Sequence, residues 1–242
     1  MLEAGAWGFV GASSLRVGVA IGLRWAIPER AIGLILGFGA GTLISALAFE
    51  LTEEAFKIGG ADAVTIGLAL GAFSYFTGDL LIERRGARHR MSPTGHQPTD
   101  SGSALLLGAI LDGIPESAVL GISLIGGGTV GVPFLLAVFI SNLPEGLSSA
   151  SGRRAAGAAP GPVVRSWALV VLASTVAAML GYAGLSDASG NAVGLVQAFA
   201  GGAVLTMLVD TMIPEAFGKG GRAVGLITVL GFALAYLLST LE

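Results

Sequence analysis

An all-α, polytopic membrane protein is the fold class this sequence predicts, on three observations. Hydrophobic residues make up 53% of the 242 positions and charged ones only 12%, with a mean hydropathy of +0.81, which leaves too little polar surface for a soluble domain of this length. The apolar residues fall in uninterrupted stretches of helical-span length, not in the period-2 alternation of barrel strands. Polar punctuation separates these stretches. A span needs about 20 apolar residues to cross a hydrocarbon core of roughly 30 Å, so the chain has room for about eight. They lie near 4–23, 31–54, 62–83, 103–125, 131–150, 163–185, 192–213 and 222–241. One transmembrane domain, 1–242, accounts for the chain and leaves no space for a separate soluble domain.

The first stretch lacks a basic leader and a small-residue cleavage site, so a retained span is expected and not a signal peptide. The 39 glycines would weaken soluble helices, but in a bilayer small residues let helix backbones approach and pack. Lys and Arg set the orientation, because basic loops stay in the cytoplasm. Arg24 and Arg30 fall at the connection of spans 1 and 2, Arg84, Arg85, Arg88 and Arg90 at that of 3 and 4, Arg153, Arg154 and Arg165 at that of 5 and 6, and Lys219 and Arg222 at that of 7 and 8. The loops at 126–133 and 186–191 carry no basic residue, so both termini are expected outside. Of the two remaining basic residues, Lys57 follows span 2 and Arg16 lies inside span 1, where it is available as a partner for a buried acid. A mobile cytoplasmic loop is expected at about 84–102, where Gly, Pro, Ser and Arg replace hydrophobic periodicity and both histidines, His89 and His96, occur.

Two internal echoes organise the spans. GFGAGTLISALAFELTEEAF (37–56) and QAFAGGAVLTMLVDTMIPEAF (197–217), laid with Phe38 on Phe199, match Gly41 with Gly202, Leu47 with Leu208, and Glu54-Ala55-Phe56 with Glu215-Ala216-Phe217. Spans 2 and 7 cross in opposite directions, so the match predicts an inverted repeat of spans 1–3 against 6–8, as in many secondary transporters. DGIPES (112–117) in span 4 echoes SNLPEG (141–146) in span 5, which gives a 3+2+3 arrangement with these two on the pseudo-twofold axis.

That central pair carries the chemistry. Asp112 and Glu116 stand four residues apart on one helical face, and Ser141, Asn142 and Glu145 are spaced likewise in span 5. A charge near the bilayer centre costs at least about 2.5–3.5 kcal/mol on insertion scales unless it meets a partner or water. Neither span supplies a basic residue. Three such carboxylates must be protonated or share a cation, and a divalent metal both cancels their repulsion and supplies the partner. Pro115 and Pro144 predict kinks that free the carbonyls of Leu111 and Ile140. Further acids lie behind this centre: Glu50 and Asp210 at nearly equivalent places in the repeat, Glu53 and Glu54 at the outer end of span 2, and Asp79 in a capping or snorkelling position.

At these residues the chain resembles the ZIP (Zrt/Irt-like) family of metal-ion transporters. The resemblance covers the whole length: eight spans, the long loop between spans 3 and 4, outward termini, and proline-glutamate motifs in spans 4 and 5. It implies a mid-membrane metal centre in which Asp112 stands where the family has histidine, Gly113 where it has asparagine, Glu116 and Glu145 keep the glutamates, and Ser141 and Asn142 fill the polar positions of span 5. Replacing the imidazole by a carboxylate makes the site harder and favours one metal over two. Zinc is the first substrate the resemblance implies, with manganese, iron(II) and magnesium to be weighed on ligand chemistry, and uptake toward the cytoplasm is the implied direction. The expected partners are the metal ion and membrane lipid, with a homodimer left open. No organic cofactor, no enzymatic activity and no nucleic-acid binding are expected, since net charge is −3 and no basic tail is present. The absence of cysteine excludes thiolate ligands and disulfides. A proton-coupled permease for another small solute, with Glu116 and Glu145 relaying protons, is the alternative; an intramembrane aspartyl protease or a metal sensor are weaker readings.

Overall fold

With lipid as the outer solvent, large apolar side chains turn outward and polar ones turn in. Phe73, Leu172, Leu180, Leu226 and Leu230 are exposed on the outside of the bundle, whereas Ser14, Thr42, Ser45, Asp112, Glu116, Ser141, Asn142, Ser148, Ser174 and Gln197 are buried. This is the reverse of a soluble domain's distribution. The computed structural model describes residues 1–84 and 102–241; His89 and His96 of the polar loop lie outside them.

Among the described residues the regular structure is helical and contains no strand. Helix α1 is Leu2–Arg24; α2, Glu29–Ala46, runs through a π-helical segment, Leu47–Thr52, into α3, Glu53–Arg84. Then follow α4, Gly102–Ile122, α5, Val132–Ala155, and α6, Pro160–Leu185. Helix α7, Gly190–Met207, runs through a second π-helical segment, Leu208–Met212, into α8, Ile213–Gly220, and α9 is Ala223–Ser239. Five runs are long and apolar enough to cross a membrane: Leu2–Arg24, Glu29–Ile82, Val132–Ala155, Pro160–Leu185 and Gly190–Gly220. The second has 54 residues, roughly 80 Å of helix at 1.5 Å per residue, far more than one crossing. It is interrupted at Gly60, whose φ of 75° and ψ of −179° only glycine adopts without strain.

Two expectations change on this backbone. Helix α5 continues to Ala155 and the α7–α8 run to Gly220, so Glu215 and Lys219 belong to a helix and not to a connecting loop. Pro115 and Pro144 lie inside α4 and α5, and the two π-helical segments contain Glu50 and Asp210. Arg16 is exposed on the outer face of α1 and does not turn toward the buried acids.

The packing repeats in a regular way. Helix α1 lies along α5 as α4 lies along α6, and α2 lies along α9 as α7 lies along α3. The closest approaches use glycines in matched register. A Cβ on Gly41 would stand 2.0 Å from the Thr228 carbonyl oxygen, and one on Gly202 would stand 2.1 Å from that of Leu68. One turn away, a Cβ on Gly231 would stand 2.2 Å from the Phe38 carbonyl oxygen, and one on Gly71 would stand 1.9 Å from that of Phe199. Phe38 and Phe199, and Gly41 and Gly202, are the pairs that the sequence echo superimposes. Both halves therefore carry the same backbone-on-backbone contact, open only to a residue without a side chain.

Candidate metal centre

A narrow cavity lies where α4, α5 and the α7–α8 run meet α2. Its walls are Leu36, Asp112, Glu116, Ser141, Asn142, Glu145, Met207, Thr211 and Met212, and its volume is about 10 Å³, room for one water-sized sphere. The helical period explains why it forms. Asp112 and Glu116 are one turn apart on α4, and Ser141, Asn142 and Glu145 occupy one turn of α5, so both sets face the same seam. All five residues singled out in the sequence thus line one space.

Their environments differ. Asp112, Glu116, Ser141 and Asn142 are buried, and Glu145 is half-buried. The Ser141 hydroxyl donates to the Val138 carbonyl at 2.9 Å, and the Asn142 amide nitrogen donates to the Gly11 carbonyl of α1 at 3.4 Å. Engaging its nitrogen leaves the Asn142 side-chain oxygen as the atom it can offer a cation. Glu116 Oε2 is buried and makes no hydrogen bond. A carboxylate oxygen left so in a low-dielectric seam is costly, and a cation is one of few partners able to offset that cost. Among the described residues, no three His, Asp or Glu side chains are gathered closely enough to hold an ion as placed; the carboxylates line the wall and do not close round a centre.

Sequence reasoning missed four of the groups at this site. Tyr75 of α3 is 1% exposed and donates its phenolic hydrogen to Asp112 Oδ1 at 2.5 Å. Met207 enters from the end of α7, and Thr211 and Met212 from the second π-helical segment. A π-helical turn rotates the residues after it relative to an α-helical wheel, so their direction was not readable from a 3.6-residue period. The lone tyrosine in an apolar span was the available signal for Tyr75. Nearby, Gly113 packs against α6, with the Ser174 hydroxyl 3.0 Å from where its Cβ would be. The outer acids serve structure. Glu50 Oε2 accepts from the Phe134 amide at 3.1 Å, capping the start of α5. Glu54 accepts from Gln197 at 3.1 Å, and Glu53 pairs with Lys57 at 2.7 Å on the exposed surface.

Comparison with known proteins decides the kinship. The zinc transporter ZIPB of Bordetella bronchiseptica is 30% identical over 260 aligned positions, which take in 98% of this chain and 79% of that protein. This chain belongs to the ZIP family. A putative zinc transporter of Arabidopsis thaliana is 25% identical over 189 residues, 76% of this chain, and the matched region spans only 30% of that longer protein. No family model matches the chain. Both relatives are named as transporters, and with the apolar helices they make this ZIP protein an integral membrane protein. Its α4 motif is Asp112-Gly113-Ile114-Pro115-Glu116-Ser117, a departure at Asp112 from the histidine that the family resemblance implies there. Tyr75 is bound up with that departure, because a buried phenol needs an acceptor and Asp112 supplies one. If Asp112 holds a metal ion, Tyr75→Phe is expected to weaken its binding by about 10–100-fold, the usual cost of losing a group that orients a ligand. Equilibrium dialysis of the purified variant checks this; unchanged affinity removes Tyr75 from the site.

Proposed function

We propose that the chain carries a divalent metal ion across the membrane through the Asp112–Glu116–Glu145 cavity. Zinc is the first substrate, with manganese and iron(II) next, and uptake runs toward the cytoplasm. The observation that carries this reading is the convergence of Asp112, Glu116, Ser141, Asn142 and Glu145 on one cavity, with a buried Glu116 oxygen that makes no hydrogen bond. The relatives' names point the same way. Met207 and Met212 add two thioethers to the wall. Soft sulfur next to hard carboxylates favours zinc or iron(II) over magnesium, which prefers oxygen alone. Holding the ion requires Glu145 and Asp112 to close on it from the wall. The half-buried position of Glu145 gives it room to do so.

The matched helix packings and glycine contacts support a 3+2+3 inverted repeat of eight crossings, with the 54-residue run supplying two of them. The distribution of arginine supports termini on the outside. In such a repeat, rocking one helix group against the other exposes the central site to each side in turn.

Uptake of zinc into vesicles reconstituted with the purified protein tests the proposal. Accumulation should be lost with a chelator outside. Accumulation of a metal-free solute, indifferent to chelator, would instead favour the proton-relay permease. Asp112→His, which exchanges a hard oxygen ligand for imidazole, is expected to raise zinc uptake relative to manganese. An unchanged ratio of the two would exclude Asp112 as a ligand.

A further inference from the structure

Two helical turns beyond the cavity, toward the ends of α5 and α8, a lysine is buried inside the bundle. Lys219 has only 7% of its side chain exposed and pairs with Glu215, which is 16% exposed. Its ammonium also donates to the Ser148 hydroxyl at 2.5 Å, and Ser148 is itself 3.5 Å from Glu215 Oε1. Ser148 is 1% exposed. The group therefore bridges α5 and α8.

Its position follows the walls of the cavity. On α5, Ser148 lies three residues beyond Glu145; on α8, Glu215 and Lys219 lie three and seven residues beyond Met212. At helical spacing these continue the faces that Glu145 and Met212 present to the cavity. At the same level α2 is pressed on α8, where a Cβ on Gly33 would stand 2.3 Å from the Gly220 nitrogen. An ion leaving the cavity along this seam next meets a carboxylate and a hydroxyl, a hard-oxygen pair suited to a cation. The place beside them is already filled by a positive charge on a flexible four-carbon stem.

We propose that Lys219 is a tethered cation that closes the passage below the metal cavity, and that a divalent ion displaces its ammonium from Glu215 and Ser148 in order to pass. This rests on the reading of the cavity as a metal site. The exchange keeps Glu215 neutralised throughout, and a lysine stem so close to the helix end can swing its ammonium outward to water. A passage plugged in this way holds no bare carboxylate between transport events.

The chain contains two lysines, Lys57 and Lys219, and Lys57, with 67% of its side chain exposed, serves as the reference. Full-length protein in lipid nanodiscs is acetylated with an amine-reactive ester, in zinc and in chelator, while bound zinc is counted by elemental analysis. Lys219 acetylation relative to Lys57 should rise severalfold with zinc. Lys219→Gln should bind one more zinc per chain than the parent, and the gain should vanish in the Glu215→Gln/Lys219→Gln double variant, where the carboxylate paired with Lys219 is neutral as well. Zinc bound without change in Lys219 acetylation, or no gain in Lys219→Gln, overturns the proposal while the cavity reading stands. Absence of bound zinc from the parent protein overturns both.

Discussion

Glu116→Gln is expected to reduce zinc uptake to the level of empty vesicles while leaving a folded, membrane-inserted protein. The substitution keeps the shape of the side chain and removes its charge. Glu116 is 2% exposed and lines the cavity, so the substitution removes a buried carboxylate from the proposed site. Folding should change little, because two effects oppose each other. Removing a charge from the bilayer interior recovers part of a cost of about 2.5–3.5 kcal/mol. The new amide hydrogens cost roughly 1–3 kcal/mol if they find no acceptor. Uptake in vesicles and thermal melting of the same preparation separate the two quantities. Normal uptake by this variant would place the path elsewhere. Glu145→Gln should lose uptake too, since it removes the anion on the facing helix.

How much of this was legible beforehand depends on which rule each residue obeys. The all-helical class follows from hydrophobic length, and five of the runs are long and apolar enough to cross a membrane; the shared face of the α4 and α5 motifs follows from the 3.6-residue period, and both motifs line one cavity. The shared register of Gly41 and Gly202 was visible as a sequence echo because close backbone contact admits only glycine. Lys219 was misplaced for a physical reason. A lysine near the end of an apolar stretch is normally a loop residue, and only the neighbouring Glu215 and Ser148 make its burial tolerable. Arg16 failed in the opposite sense: it sits mid-span but faces outward, and a single sequence does not tell which side of a helix meets lipid. The residues entering from Leu208–Met212 were hidden because a π-helical turn breaks the period on which facing is judged. Tyr75 was hidden because its contact with Asp112 joins residues 37 positions apart.

The larger structural effect is expected from Gly202→Val, which should leave little folded protein in detergent. Its Cβ would lie 2.1 Å from the Leu68 carbonyl oxygen and 2.8 Å from the Leu68 carbonyl carbon, distances that no side-chain rotation relieves because the obstacle is backbone. Helix α3 would have to move away from α7 along one of the most extensive packings in the bundle. Overpacking commonly costs about 1–3 kcal/mol, and a clash with main chain belongs at or above the top of that range. Gly41→Val should do the same to the α2–α9 contact, where the Thr228 oxygen is 2.0 Å from the added atom. Gly225→Ala is the control: nothing lies within 4 Å of its Cβ, and a helical glycine replaced by alanine gains roughly 0.5–1 kcal/mol. Size-exclusion profiles before and after heating distinguish the three. If Gly202→Val melted like its parent, α3 and α7 would not touch through their backbones, and the matched packing of α3 on α7 and of α2 on α9 would not hold.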